Sequence, residues 1–354
     1  MRLLAIGINI RHIAASASRA GHEVMAVDCY CDCDLSKWAK KTAKMPRTGW
    51  EECIPVFMDE FQPDAVVFGP GLEEVSLAGA NVLNNSPEKT SVVSDKLWLA
   101  RWLEKNGFPF IRTESSPEHL DYPFLVKPRR GAGGLGCRAV RSPSELCWQD
   151  DLIAQKLLSG RPASVSVIGN GREGQAIAVN EQLIGLDWAG AKGFRYSGNI
   201  TPLSQAPGEM SKMAEEIIAK LGLVGSNGVD FLLTDEGPVP VEVNSRFQGS
   251  LDTVEIAHSI NVFQAHLQSF SGLLPEPMSA PRCTAGRAIL YAPHDLAIDA
   301  DLQQSWISDV PKRGSRIAAD EPLLSITARG SNRDEAIVLL KRRAAMLYET
   351  LKTK

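Results

Sequence analysis

Asp230, Glu242 and Asn244 are the residues whose types and spacing most directly imply chemistry. They flank the turn Asp235-Glu236-Gly237 in the segment GVDFLLTDEGPVPVEVN. A turn centred on Glu236 sets 230 opposite 242, 231 opposite 241 and 229 opposite 243. Period-two alternation then gives Val229, Phe231, Val241 and Val243 one apolar face. Asp230, Glu242 and Asn244 occupy the other face, and Arg246 continues it. Two carboxylates directly opposite each other repel, and a divalent cation between them reverses that sign. Carboxylate and amide oxygens suit Mg²⁺, which keeps water or phosphate oxygens as its remaining ligands. A solvated acidic hairpin needs no such partner, and the hairpin alone leaves both readings open.

Cations and glycines upstream supply the complementary chemistry. Lys96 follows Ser94-Asp95, and Lys127 closes the apolar run Phe124–Lys127. Arg129, Arg130 and the loop Gly131-Ala132-Gly133-Gly134-Leu135-Gly136 come next. Glycines let backbone N–H groups approach phosphate oxygens closely, although a surface turn explains such a loop equally well. It lacks the terminal GK[ST] of a P-loop. The first βα turn, Gly7–Arg11, lacks GxGxxG, so a dinucleotide site is not expected there. Cys29, Cys31 and Cys33 alternate between Asp28, Asp32 and Asp34 without a second CxxC. They read as free thiols at a strand end, not as a zinc site.

The elements that must position these groups can be read from periodicity. Residues 3–8 and Glu23–Asp28 read as strands around a helix at 11–20, the opening of a βαβ unit. Asp64–Phe68 is another buried strand, and a helix is expected from 94 to 105. Ser142-Pro143-Ser144-Glu145 has the form of a capped helix start. Met210, Met213, Ile217, Ile218 and Leu221 recur at helical spacing, and Gly222 stops that helix. Ser271–Pro281 reads as a linker. Strands at Arg287–Tyr291 and Leu323–Thr327 and a helix at 333–350 close the chain.

In this setting VPVEVNSRFQGS resembles the metal-binding strand of the ATP-grasp superfamily, whose common form is E-x-N-x-R. The other features follow in the superfamily's order. Ser94-Asp95-Lys96 resembles its first lysine helix, and FLVKP its second lysine strand with the glycine loop behind it. AQKLLSG (154–160) resembles the hinge that receives adenine. The resemblance implies an α/β chain: a Rossmann-like pre-ATP-grasp domain over 1–93, a two-lobed ATP-grasp domain over 94–272, and a small C-terminal α/β segment over 283–354. It implies ATP and Mg²⁺, with Mn²⁺ as the alternative ion. Asp230, Glu242 and Asn244 would hold the metal. Lys96, Lys127, Arg129, Gly131, Gly133, Gly134, Gln155, Lys156 and Leu158 would hold the nucleotide. Arg246, Lys127 and Arg195 would act on the transferring group and the substrate carboxylate.

The implied reaction joins a carboxylate to an amine through an acyl phosphate. The glutamate of the biotin carboxylase branch is replaced by Ser250 here, which argues against bicarbonate chemistry. The tail is similar to carboligase-like proteins of archaea and methylotrophic bacteria, some linked to one-carbon cofactor synthesis, and homodimers are common among such proteins. A catalytically silent ATP-binding scaffold on the same fold is the rival reading.

Composition bounds the alternatives. The chain has 354 residues, 44% hydrophobic and 23% charged, with a formal net charge of −4. Such a balance lacks the basic excess of a nucleic-acid binder. No apolar run is long enough to span a bilayer, and the start carries no signal-peptide pattern. A cytoplasmic enzyme acting on small molecules is the expectation. Seven scattered cysteines do not suggest a disulfide framework.

Overall fold

The computed structural model describes residues 1–352. The N-terminal strands β1 (Arg2–Gly7), β2 (Glu23–Asp28), β3 (Lys41–Lys44) and β4 (Ala65–Phe68) form a parallel sheet in the order β3-β2-β1-β4. The near-continuous apolar runs of β1, β2 and β4 are what a sheet covered on both faces requires, while the polar β3 lies at its edge. Helix α1 (Arg11–Arg19) packs on one face and α2 (Cys53–Phe61) on the other.

Two helices follow where one was expected. Ser86 caps α3 (Pro87–Val93), with proline at the first helical position. Asp95 caps α4 (Lys96–Lys105) by accepting from the Leu97 and Trp98 N–H groups at 3.1 Å. The capped helix expected at Ser142 is only a single 3-10 turn, Pro143–Glu145. Its Glu145 carboxylate accepts from the Arg141 N–H instead of returning to Ser142.

A small antiparallel sheet is built from β5 (Thr113–Glu114), β6 (Phe124–Pro128), β7 (Arg138–Val140) and β8 (Leu152–Lys156), in the order β5-β8-β6-β7. The large sheet contains β9 (Arg161–Asn170), β10 (Gly174–Ile184), β11 (Tyr196–Thr201), β12 (Val224–Thr234), β13 (Gly237–Asn244) and β14 (Thr284–Tyr291). Its order runs β13-β12-β9-β10-β11-β14-β18-β16, with β16 (Ile307–Ser308) and β18 (Pro322–Gly330) at the far edge. The C-terminal segment therefore extends the central sheet instead of packing on it from outside. β15 (Leu296–Ala297) and β17 (Arg316–Ile317) form a separate two-stranded piece.

Helix α5 (Pro207–Leu221) lies on one face of the large sheet and buries Met210, Ala214, Ile217 and Ile218. Gly222 ends it in a left-handed conformation, φ 62°. On the other face, α6 (Leu251–His258) and α7 (Val262–Ser269) share one core with α1 and with β9 and β10. That shared core fixes the N-terminal sheet against the large one. Helix α8 (Arg333–Lys352) covers β14 and β18.

Candidate active site

The hairpin of β12 and β13 sets Val229 opposite Val243 and Asp230 opposite Glu242, as alternation requires. The turn differs from expectation. Thr234 pairs with Gly237, so Asp235-Glu236 form a two-residue loop, and pairing continues as 231–240, 232–239 and 233–238. A bulge next to Asp230 absorbs the odd residue. Val241 is that residue, which corrects its expected place in the core. It lines a cavity, while Val229, Phe231 and Val243 are buried.

The cavity has a volume of about 1070 Å³ and runs between the small sheet, the large sheet and the N-terminal domain. Asp230, Glu242 and Asn244 all line it. Asn244 Nδ2 donates to Asp230 Oδ2 at 3.2 Å, and the Gln182 amide also hydrogen-bonds this carboxylate. Burial pushes the Asp230 carboxyl up to about 7, and the charge of Glu242 adds to the rise. Among the described residues no lysine, arginine or histidine lies within ion-pair distance of Asp230. Two acids and an amide without a third acid, cysteine or histidine do not make a closed protein cage. They do fit a hard cation that keeps non-protein oxygens.

Two lysines face the acids. Lys96 is the first residue of α4; its Nζ lies 2.6 Å from the Gly131 carbonyl and 3.6 Å from Glu242 Oε1. Lys127 on β6 is buried. Burial lowers its ammonium to about 8; Lys96 pushes the same way, and Glu242 opposes. Lys127 makes no hydrogen bond or ion pair among the described residues, which leaves its ammonium available to an anion.

The glycine loop lies against the segment 194–196. Gly134 has φ 75°, and a Cβ there would fall 1.8 Å from the Phe194 carbonyl oxygen. Tyr196 N–H donates to the Gly133 carbonyl at 3.1 Å. Gly134 is thus a glycine because two backbones touch, whereas Gly133, φ 68°, has open space around it. Gly131, Gly133 and Gly134 all line the cavity.

Gln155, Lys156 and Leu158 line its other end. Gln155 Nε2 donates to Thr113 Oγ1 at 2.8 Å, so its side chain is committed to the small sheet. Lys156 N–H donates to the Arg112 carbonyl at 2.9 Å, so that donor is taken, although Lys156 lines the cavity as a nucleotide-holding residue would. Leu158 lies beyond the end of β8.

Two further expectations are corrected. Arg129 does not line the cavity. Its guanidinium grips Asp95, the cap of α4, with Nε at 2.9 Å and Nη2 at 2.5 Å. Arg195 is also outside: it stacks 4.4 Å from the Tyr291 ring centroid and donates to the Asp320 carbonyl. Both cations have satisfied partners on the outer side of their segments. Arg246 does line the cavity, with Nε 2.5 Å from Glu73 Oε1 in the loop after β4.

Sequence reasoning passed over Arg287, Tyr196 and Gln182, which all line the cavity. Arg287 Nη1 donates to the Gly249 carbonyl at 3.1 Å, and Nη2 donates to Asp309 Oδ2 at 2.8 Å and Ser325 Oγ at 2.7 Å. A charge inside the otherwise apolar run of β14 was the available signal. Burial pushes the Tyr196 hydroxyl well up, with Arg287, Asp230 and Arg246 among the charges acting on it. Tyr196 therefore sits among the acids and the two arginines.

Residues 93–250 match the family described as "ATP-grasp domain". The chain is 27% identical to an uncharacterized protein of Methanocaldococcus jannaschii, over 93% of this chain and 88% of that one. It is 25% identical to the D-alanine–D-alanine ligase of Syntrophotalea carbinolica, over 66% of this chain and 78% of that one. Among solved structures, phosphoribosylamine–glycine ligase from Thermotoga maritima superposes with a TM-score of 0.72 at 19% identity. That match covers 99% of this chain and 96% of the other, and it is a likeness of fold. No described helix is long and apolar enough to cross a membrane.

Proposed function

The chain belongs to the ATP-grasp superfamily, and from that premise we propose that it is an ATP- and Mg²⁺-dependent ligase joining a carboxylate to an amine. The observation that carries this reading is the half-buried cross-strand pair Asp230 and Glu242, faced by Lys96 and the buried Lys127 and without a cation on Asp230 among the described residues. Like charges facing each other across a strand pair are costly unless a cation joins them.

In this reading Asp230, Glu242 and Asn244 hold Mg²⁺, which when bound neutralises charge on the triphosphate. Lys96 and Lys127 neutralise phosphate oxygens from the opposite side, and the backbone around Gly131 and Gly133 approaches them without a Cβ in the way. Leu158 borders the adenine end. A carboxylate oxygen attacks the γ-phosphorus and ADP leaves. The amine nitrogen then attacks the acyl carbon; a C–N bond forms, the C–O bond to phosphorus breaks, and phosphate departs with the electron pair. Protein groups contribute by positioning and by fixed charge. Arg246 and Arg287 are the cavity cations placed to meet the substrate carboxylate, the role first expected of Arg195.

Ser250 supports an amine ligase over a bicarbonate enzyme. It is buried, precedes α6 and lies 3.3 Å from Ser166 Oγ, so no carboxylate stands at that position. The narrower placement in one-carbon cofactor biosynthesis rests only on the resemblance of the tail to carboligase-like proteins, and the relatives named above carry no such role.

The test is ADP release with a panel of carboxylates and hydroxylamine as the trapping nucleophile. A hydroxamate identifies the acid and reports acyl phosphate formation. ATP binding without ADP release for any acid would instead support the silent scaffold.

A further inference from the structure

A second polar region of the cavity lies on the N-terminal domain, away from the hairpin. Its wall includes Asn9, His12, Asp32 and Asp309. One drug-sized ligand needs roughly 300–1,000 Å³. A cavity of about 1070 Å³ thus has room beyond a nucleotide. Four acids gather near this arm, and three are accounted for. Asp28 accepts from the backbone N–H groups of Ile10, Tyr30 and Cys31. Asp34 accepts from the N–H groups of Asp309 and Val310. Asp309 takes Arg11 at 3.0 Å and Arg287 at 2.8 Å, with Asn9 Nδ2 at 3.4 Å.

Asp32 is the exception. It is 9% exposed, and its carboxylate has no hydrogen bond or ion pair among the described residues. Arg11, whose charge acts on it, is already bound to Asp252 and Asp309. His12 is 7% exposed, and its Nε2 is buried without a partner. Both residues line the same cavity, together with Asn9 and Asp309. A buried polar atom without a partner, as His12 Nε2 is, costs free energy. A ligand that reaches His12 Nε2 and the Asp32 carboxylate supplies partners that neither has.

We propose that this arm binds the acceptor substrate, that the acceptor carries an ammonium group, and that Asp32 is its counter-ion, with His12 Nε2 as a neutral hydrogen-bonding partner. The inference rests on the amine-ligase reading and gives its second substrate a chemical class. The arm joins the hairpin end of the cavity through Arg287, which touches Asp309 at one nitrogen and the Gly249 carbonyl at another. Burial and the three neighbouring acids push the Asp32 carboxyl up to about 8. An incoming ammonium offsets both effects, so affinity comes from a charge that is destabilised while the arm is empty. A second carboxylate-bearing ligand would add to that repulsion.

Calorimetry on the full chain with ethanolamine, putrescine and phenylethylamine, in the presence of ATP and Mg²⁺, tests this directly. At least one of these ammonium probes is expected to bind wild type and to lose tenfold or more in affinity in Asp32→Asn, with recovery in Asp32→Glu. Equal binding to wild type and Asp32→Asn, or no binding of any probe to wild type, overturns the proposal. Asp32→Asn is isosteric and keeps the empty arm neutral, so its melting temperature is expected close to wild type. Asn9→Leu, which narrows the same arm, is the second variant and is expected to weaken the same probe. The hydroxamate assay separates the two readings. Hydroxamate formation with Asp32-independent amine binding removes the acceptor site alone. Asp32-dependent binding without any hydroxamate removes the ligase reading and leaves a cation site.

Discussion

Arg11, Asp252, Asp309 and Arg287 form one buried cluster of charges; Asp230, Glu242, Asn244 and Lys96 form a second, half-buried one. The residue types are nearly the same, and the arrangements are opposite. In the first cluster every acid has a contacting arginine: Arg11 to Asp252 at 2.5 Å and to Asp309 at 3.0 Å, and Arg287 to Asp309 at 2.8 Å. Burial alone would raise the Asp252 carboxyl, yet Arg11 and Arg287 outweigh it and hold it at about 2. The same two arginines hold Asp309 far below the usual carboxylate range against its own burial. In the second cluster burial and Glu242 push Asp230 up to about 7. The first cluster is internally paired and ties α1 to α6 and to the strands at the C-terminal edge, while its Arg287 and Asp309 also reach the cavity wall. The second is open on the cavity side and short of positive charge. A full set of ion pairs serves architecture; two facing acids that share a single contacting lysine mark where a ligand completes the structure.

The contrast is sharpest when one acid is neutralised on the open side. Glu242→Gln is expected to lower turnover by about a thousandfold while leaving the melting temperature at or above wild type, because it relieves repulsion. Steady-state ADP release and a thermal melt on the same sample check both halves. Unchanged turnover would remove the metal assignment.

The closed side should behave in the reverse way. Arg11→Met leaves Asp252 without its closest partner and is expected to cost about 3–5 kcal/mol of stability. Denaturant titration measures it, and a loss below about 1 kcal/mol would show that the cluster is not a structural clamp.

A third test uses acid. Burial lowers His12, beside the closed cluster, and His266, under Leu83, each to about 4. His266 Nδ1 accepts from Ser226 N–H at 2.9 Å, which requires that nitrogen to be unprotonated. The unfolded chain takes up a proton near pH 6.5, and the folded chain does so only near 4. Stability is thus present above pH 6.5 and lost as pH falls from 6.5 toward 4, by up to about 3 kcal/mol per histidine. Melting temperatures across that range should fall, and His266→Gln should flatten the fall.

The smallest effect is expected for Arg195→Ala. The side chain lies outside the cavity, on Tyr291 and the Asp320 carbonyl. Its loss should cost about 1 kcal/mol or less and change the KM for the carboxylate less than Arg287→Ala does. A larger KM change for Arg195→Ala would return Arg195 to the site.

Much of this arrangement was legible before any coordinates. The parallel opening, the helix Pro207–Leu221 with its glycine stop, and the pairing of Asp230 with Glu242 follow from alternation, capping and periodicity. The misplaced details share a cause. Ser142 and Glu145 carry a capping pattern, but no amphipathic run long enough to pack follows it, and only a 3-10 turn forms. The hairpin turn was taken one residue too long because a bulge leaves no trace in alternation until the pairing is seen.

Residue chemistry and local periodicity were therefore sufficient to specify which groups share a strand face, because those relations depend on backbone geometry within a few residues. They specified the acids, the lysine strand and the glycine loop. Which cations remain free is a different matter, since a guanidinium reaches partners far away in the chain. Arg129 found Asp95, Arg195 found Tyr291, and Arg287 came to the cavity from a strand more than forty residues beyond the hairpin. Asp32 stands without a contacting cation among the described residues, while Arg11 is held by Asp252 and Asp309. Long-range pairing of charges was decided by tertiary packing, and it separates the open site from the closed one.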